Sequence, residues 1–202
     1  MFVFVRFVIS IIFFLCLILI VRKKGKRYKG KYYAIFITVT IALYILLSFM
    51  PFENMFLTFD SPESAYEYFV SRNANIELVV DGNNCDLIVE HKKDNDILLL
   101  IPKTEKGWKI GTGSNLVRVS QKLSDGISIN IYRYKNSSDY FITILNINGG
   151  ESEIFDDCNT VFYSLEKRND YLNKDYVTYY AHLTEFTSEY YLDVNSNRIT
   201  FD

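Results

Sequence analysis

Acidic residues are missing from the first quarter of the chain. None of the 24 Asp and Glu residues precedes Glu53, whereas eight of the 22 Lys and Arg residues do. The first 52 residues therefore carry +8 and the remainder −10. A segment at −10 repels phosphate backbones, which argues against a nucleic-acid partner, and that charge is an ordinary means of staying soluble. Histidine is almost absent: His91 and His182 are the only two. Neither accompanies a Gly-x-Ser-x-Gly elbow, a cysteine-nucleophile signature or a His-x-x-x-His pair, so serine, cysteine and zinc hydrolases lack their base or their ligands. Cysteine is as scarce. Cys16, Cys85 and Cys158 form no Cys-x-x-Cys pair and argue against a structural zinc site. Gly111-Thr112-Gly113 has no helix after it, so it reads as a turn rather than a phosphate cradle, and no Walker lysine motif occurs. No cofactor is expected, and no catalytic residue stands out.

Charge is also missing from two long apolar runs, and the cations concentrate between them. Arg22, Lys23, Lys24, Lys26, Arg27, Lys29 and Lys31 fall within ten residues. A bilayer core of about 30 Å needs about 20 helical residues. Tyr32 to Phe52 is uncharged, has aromatic ends and is closed by Pro51. Met1 to Val21 is long enough but contains Arg6, which is expected to snorkel to the interface from its place near the chain start. A signal peptide carries its charges before the apolar run and a small-residue site after it; here the charges follow, so cleavage is not expected. Two spans leave both ends on one side. The basic loop 22–31 then sits in the cytoplasm, and residues 53–202 lie outside it. The same cations suit anionic lipid head groups. The expected arrangement is a two-helix transmembrane hairpin, residues 1–52, in the plasma (inner) membrane.

Residues 53–202 change character. Glu53 to Asp60 reads as a tether. Ser61-Pro62-Glu63 supplies an N-cap, a first-turn proline and a first-turn acid, predicting a helix from Pro62 to Arg72 with Ala65, Tyr66, Phe69 and Val70 on one face. Beyond Ile76 the apolar period becomes two. Ile127, Ile129 and Ile131 alternate with polar residues, whereas Tyr140 to Ile147 is apolar on both faces and predicts a central strand. Asn195-Ser196-Asn197 predicts a terminal hairpin. Asp193 to Asn197 also imitates the start of a calcium loop, but Arg198 occupies the position that needs glycine. Short strands without βαβ spacing, plus one short helix, predict a mainly-β (α+β) antiparallel domain.

Two further patterns concern the same domain. Asn83 to Val89 and Asp156 to Phe162 each lead through a cysteine into a β run, which is compatible with a two-fold internal repeat. In an oxidising compartment that repeat would allow Cys85 and Cys158 to pair as a disulfide, the alternative being two separate small hydrophobes. Tyrosine is abundant, and Tyr176, Tyr180 and His182 alternate along one strand opposite Val177. If that face is wet, it is a candidate binding surface.

Phe59, Ser61, Pro62, Glu63 and Ala65 make up a Phe-x-Ser-Pro-Glu-x-Ala string after a hydrophobic anchor. In this respect the chain resembles uncharacterised small bacterial membrane proteins with an N-terminal anchor and a β-rich extracytoplasmic domain, a resemblance that implies no activity. The function expected first is non-catalytic binding of a protein or envelope component by the outer domain. An immunity-like or accessory subunit of a membrane complex comes second. An envelope hydrolase with a carboxylate pair comes third.

Overall fold

The computed structural model describes residues 2–23, 30–92, 95–112, 115–124, 126–135, 137–147, 150–169, 174–187 and 189–201. Two apolar helices lead, α1 over Phe2–Lys23 and α2 over Gly30–Phe49. Their polarity is inverted. The buried residues of α1 are Phe2, Arg6 and Ser10, while Phe4, Phe7, Ile12, Leu15, Leu19 and Ile20 are exposed. Among the described residues α1 is long and apolar enough to cross a membrane, a property that a signal sequence near a chain start shares. The second run is shorter than the sequence reading had it. The apolar stretch described in α2 is Tyr32–Leu47, the helix ends at Phe49, and Phe52–Met55 forms a separate 3-10 turn. Pro51 causes the break, because its ring disfavours helical geometry in the residue before it.

The helix α3 spans Pro62–Val70. The Ser64 amide donates to the Ser61 side chain at 3.2 Å, closing the N-terminus as the Ser-Pro-Glu string predicts. Ser71 adopts a left-handed conformation, φ 58°, and stops the helix two residues short of Arg72. Ala65 and Tyr66 are buried, with Phe69 and Val70 packed beside them, so the expected face is the one used.

Among the described residues twelve strands follow. A four-stranded meander runs β1 (Ile76–Val80), β2 (Cys85–Lys92), β3 (Asn95–Thr104) and β4 (Gly107–Trp108). A five-stranded sheet comprises β5 (Leu116–Ser124), β6 (Ile127–Tyr134), β7 (Tyr140–Asn146), β10 (Lys174–Leu183) and β9 (Tyr163–Asn169), in that spatial order. A small sheet orders β12 (Asn197–Thr200), β11 (Tyr191–Val194) and β8 (Ile154–Asp156). Every strand pairing is antiparallel.

Side-chain alternation stacks these elements into layers. On β2, Ile88 packs toward α3, while Cys85, Leu87 and Val89 meet Phe141 and Tyr180 of the five-stranded sheet. The opposite face of that sheet, including Ile129, Ile142, Ile144 and Ala181, packs on Leu192, Val194 and Phe201 of the small sheet. Strands β2, β7 and β10 are therefore sandwiched, which is why Tyr140 to Asn146 reads as apolar on both faces. Full burial of one such Leu, Ile or Phe contributes about 1.5–3 kcal/mol.

The internal repeat is not realised. Cys85 opens a strand buried on both faces, whereas Cys158 sits in a turn after β8 and the next strand begins only at Tyr163. The meander follows chain order, while the larger sheet inserts β10 between β7 and β9. The terminal hairpin does form: Asn195 and Ser196 take positive φ at its turn, and Asp193 accepts from Arg198 at 3.2 and 3.1 Å.

Candidate functional site

The junction between helices and sheets is organised by a buried charge pair. Arg6 lies near the start of α1, Glu53 in the 3-10 turn after α2, and neither side chain is more than 5 % exposed. The Arg6 guanidinium donates to both Glu53 oxygens, with Nη2 to Oε2 at 2.9 Å. It also donates to the carbonyls of Leu47 (2.6 Å), Phe2 (3.1 Å) and Met50 (3.1 Å). The Phe2 ring stacks on it, 3.2 Å from centroid to Cζ, and Phe2 meets Phe69 of α3 edge-on at 5.0 Å. Arg6 therefore does not snorkel; it is enclosed by protein because a carboxylate and three carbonyls satisfy it where lipid could not.

The expected tether is bonded to the domain. The Asn54 side chain exchanges hydrogen bonds with the Ile110 backbone at 3.0 and 2.7 Å, and Phe59 pairs with Trp108 through two 3.0 Å backbone bonds. Lys109 Nζ holds Leu57 O at 2.7 Å. Between these anchors Met55 and Phe56 remain 79 % and 77 % exposed.

Asp139, in the β6–β7 loop, is the second buried charge centre. It accepts from the amides of Asn83 (3.1 Å) and Asn84 (2.5 Å), stands 3.0 Å from His182 Nε2, and receives the Cys85 thiol at 3.8 Å. Burial alone would raise its pKa, but the Asn84 amide, His182 and the Asn83 amide outweigh it and hold the carboxyl below its ordinary range. One carboxylate thus ties the β1–β2 turn to β7 and β10. His182 also lines an open cleft of about 260 Å³, with Val80, Asp81, Cys158, Val161 and Tyr163 among its walls. Asp156 holds the turn that supplies Cys158 and Thr160 to the cleft, accepting from Cys158 N at 3.1 Å, Thr160 N at 2.8 Å and Tyr190 Oη at 3.1 Å. Val161 and Tyr163 give the rim an exposed apolar edge.

The tyrosine surface is redistributed. Tyr180 is 1 % exposed and belongs to the core between the two larger sheets, its hydroxyl donating to Asp96 Oδ2 at 2.7 Å. Tyr176 is half-buried, and only His182 of the three reaches the cleft. The face reads as solvent-facing because tyrosine suits edges; the second sheet covers it. The cysteines do not pair either. All three are free: Cys85 is buried against Asp139, whereas Cys158 is exposed with its thiol 3.7 Å from Asp157 Oδ1. Burial and then the Asp157 and Asp156 charges raise the Cys158 pKa, which leaves the exposed thiol less ionised than an ordinary surface cysteine without shielding it from reagents.

Two more acids are buried on β2, facing α3. Glu90 pairs with Arg72 (2.7 Å) and Tyr66 Oη (2.5 Å), and Asp86 takes the Trp108 indole and the Gly82 amide (3.1 Å). Burial would raise the Glu90 pKa, but the Arg72 and Tyr66 bonds bring it below the ordinary value. Among the described residues two groups gather metal-ligating side chains within 4.8 Å: Glu77, His91 and Asp96, and Asp156, Asp157 and Cys158. Arg22 and Lys23 are exposed at the end of α1 and Lys31 lies in the first turn of α2; Lys24, Lys26, Arg27 and Lys29 lie outside the described residues. Comparison of the chain with protein-family models, with curated proteins and with solved structures finds no match.

Proposed function

We propose that the protein is a membrane-anchored, non-catalytic interaction protein. Both helices cross the plasma (inner) membrane as a hairpin, the basic loop 22–31 stays in the cytoplasm, and the β-rich domain binds a protein or envelope component outside it. The inverted polarity of α1 carries this reading: Arg6 and Ser10 within its apolar run are buried while Phe, Leu and Ile face outward. In water that arrangement forfeits the hydrophobic driving force; in lipid it is the favourable one. Tyr33, Ile35, Ile37, Ile41, Ile45 and Leu46 expose α2 in the same way. Met55 and Phe56 then enter the head-group region beneath the domain. The cleft beside His182, with its apolar rim, is the binding site. The pKa of its thiol is raised and its imidazole is hydrogen-bonded to Asp139, which suits recognition better than nucleophilic chemistry.

A specific observation favours the accessory-subunit reading as well. A groove of about 500 Å³ runs between α1 and α2, lined by Phe7, Phe14, Ile37 and Tyr44. Ser10 and Thr40 also line it, and their hydroxyls have no hydrogen-bond partner among the described residues. A partner's helix carrying a polar group would satisfy them. Capture of partners by the full-length chain from membranes in mild detergent separates the two readings. Val161→Lys with Tyr163→Lys abolishes capture if the cleft binds, and Ser10→Ala with Thr40→Ala leaves it intact. The opposite pattern supports docking in the membrane.

A further inference from the structure

We propose that Glu77, His91 and Asp96 form a site for a divalent transition-metal ion, Zn²⁺ by the chemistry of its donors. The three residues come from adjacent strands β1, β2 and β3, and their ligand atoms already lie within 4.8 Å of one another. The register sets His91 directly opposite Asp96, bringing Nδ1 to 3.3 Å from Oδ1. Donor atoms sharing a tetrahedral Zn²⁺ with bonds near 2.0–2.1 Å stand about 3.4 Å apart, so this pair has the required separation before any ion arrives. Glu77 sits where the β1–β2 register shifts between Ile76 and Leu78, and its carboxylate lies within 4.8 Å of the His91 and Asp96 ligand atoms.

An independent observation supports the site. Tyr180, from the other sheet and locked in the core, donates its hydroxyl to Asp96 Oδ2 at 2.7 Å. That bond fixes the carboxylate and leaves Oδ1 turned to His91, as outer groups around metal ligands do. One imidazole and two carboxylates suit Zn²⁺; Mg²⁺ and Ca²⁺ prefer more numerous oxygen ligands. Three protein donors leave a fourth position for water or a partner's side chain.

The test is calorimetric titration of the full chain in detergent micelles with ZnCl₂ as the probe. The expected result is one ion per chain, with affinity falling at least tenfold in Glu77→Gln and in His91→Asn. Tyr180→Phe keeps the ring but loses the hydroxyl, and should weaken binding about tenfold. Asp157→Asn with Cys158→Ser should leave it unchanged. Absence of saturable binding, binding that survives His91→Asn and Glu77→Gln, or binding lost only in the Asp157 and Cys158 variant would each overturn the proposal. Glu77 is exposed and His91 lies near a strand end, so both variants should keep the wild-type far-UV spectrum, and that check accompanies the titration.

Discussion

The costliest charge to remove singly should be Arg6, followed by its partner Glu53. Its carboxylate accepts both terminal nitrogens of Arg6, and both side chains are almost fully enclosed. Breaking a buried pair by deleting one partner costs about 3–5 kcal/mol, chiefly because the survivor remains charged and desolvated. The two survivors differ. After Glu53→Gln, Arg6 keeps the Leu47, Phe2 and Met50 carbonyls, which places the loss near the lower bound, about 3 kcal/mol. After Arg6→Met, Glu53 has lost its bidentate partner, and the loss approaches about 5 kcal/mol. Replacing both with Met should recover most of the stability, to within about 1 kcal/mol of wild type, since an apolar pair has no charge to solvate. Trp108 is the only tryptophan, and it bridges Phe59 of the segment before α3 and Asp86 of β2. Its fluorescence during urea unfolding in micelles therefore reports the region under test. Single variants within about 0.5 kcal/mol of wild type, or a double variant no more stable than the singles, would refute the reasoning.

Tyr180→Ala should cost about 3–5 kcal/mol in the same unfolding assay, as core aromatic deletions do; a change below about 1 kcal/mol would return Tyr180 to the surface. Asp139 and Glu90 have depressed folded-state pKa values, so their stabilisation is complete above the unfolded carboxyl range of about 4 and is lost as pH falls through the folded values. The wild-type urea midpoint should accordingly drop below about pH 4, and Asp139→Asn should start lower and drop less steeply. Non-reducing mass spectrometry of the purified chain should find no Cys85–Cys158 bridge, with Cys158 modified in the native state and Cys85 only after unfolding.

Much of the domain is legible in the sequence because burial leaves periodic marks. The Ser61-Pro62-Glu63 start, the alternation of Ile127 to Ile131, the doubly apolar Tyr140 to Asn146 and the terminal hairpin all correspond to observed elements. Layering is not legible in this way. Nothing in β10 alone says that a second sheet covers Tyr180, since the same tyrosine would suit a wet edge. Nor does spacing reveal that the lone Arg6 of one apolar run answers Glu53 after the next; the available signal is that Arg6 is the single charge of its run and Glu53 the first acid of the chain. The Asp139 hub left no signal at all, because a loop aspartate ordinarily caps its own turn. The Glu77, His91 and Asp96 group depends on strand register, which residue spacing does not determine.

The anchored, outward-facing arrangement is tested most directly by labelling intact spheroplasts with a membrane-impermeant maleimide. In the wild-type chain, Cys158 should label from outside, while Cys16 within α1 and the buried Cys85 should not. In a Cys158→Ser background, Lys26→Cys should label only once the membrane is permeabilised. Labelling of Lys26→Cys in intact spheroplasts, with Cys158 protected until permeabilisation, would contradict the account and put the domain in the cytoplasm.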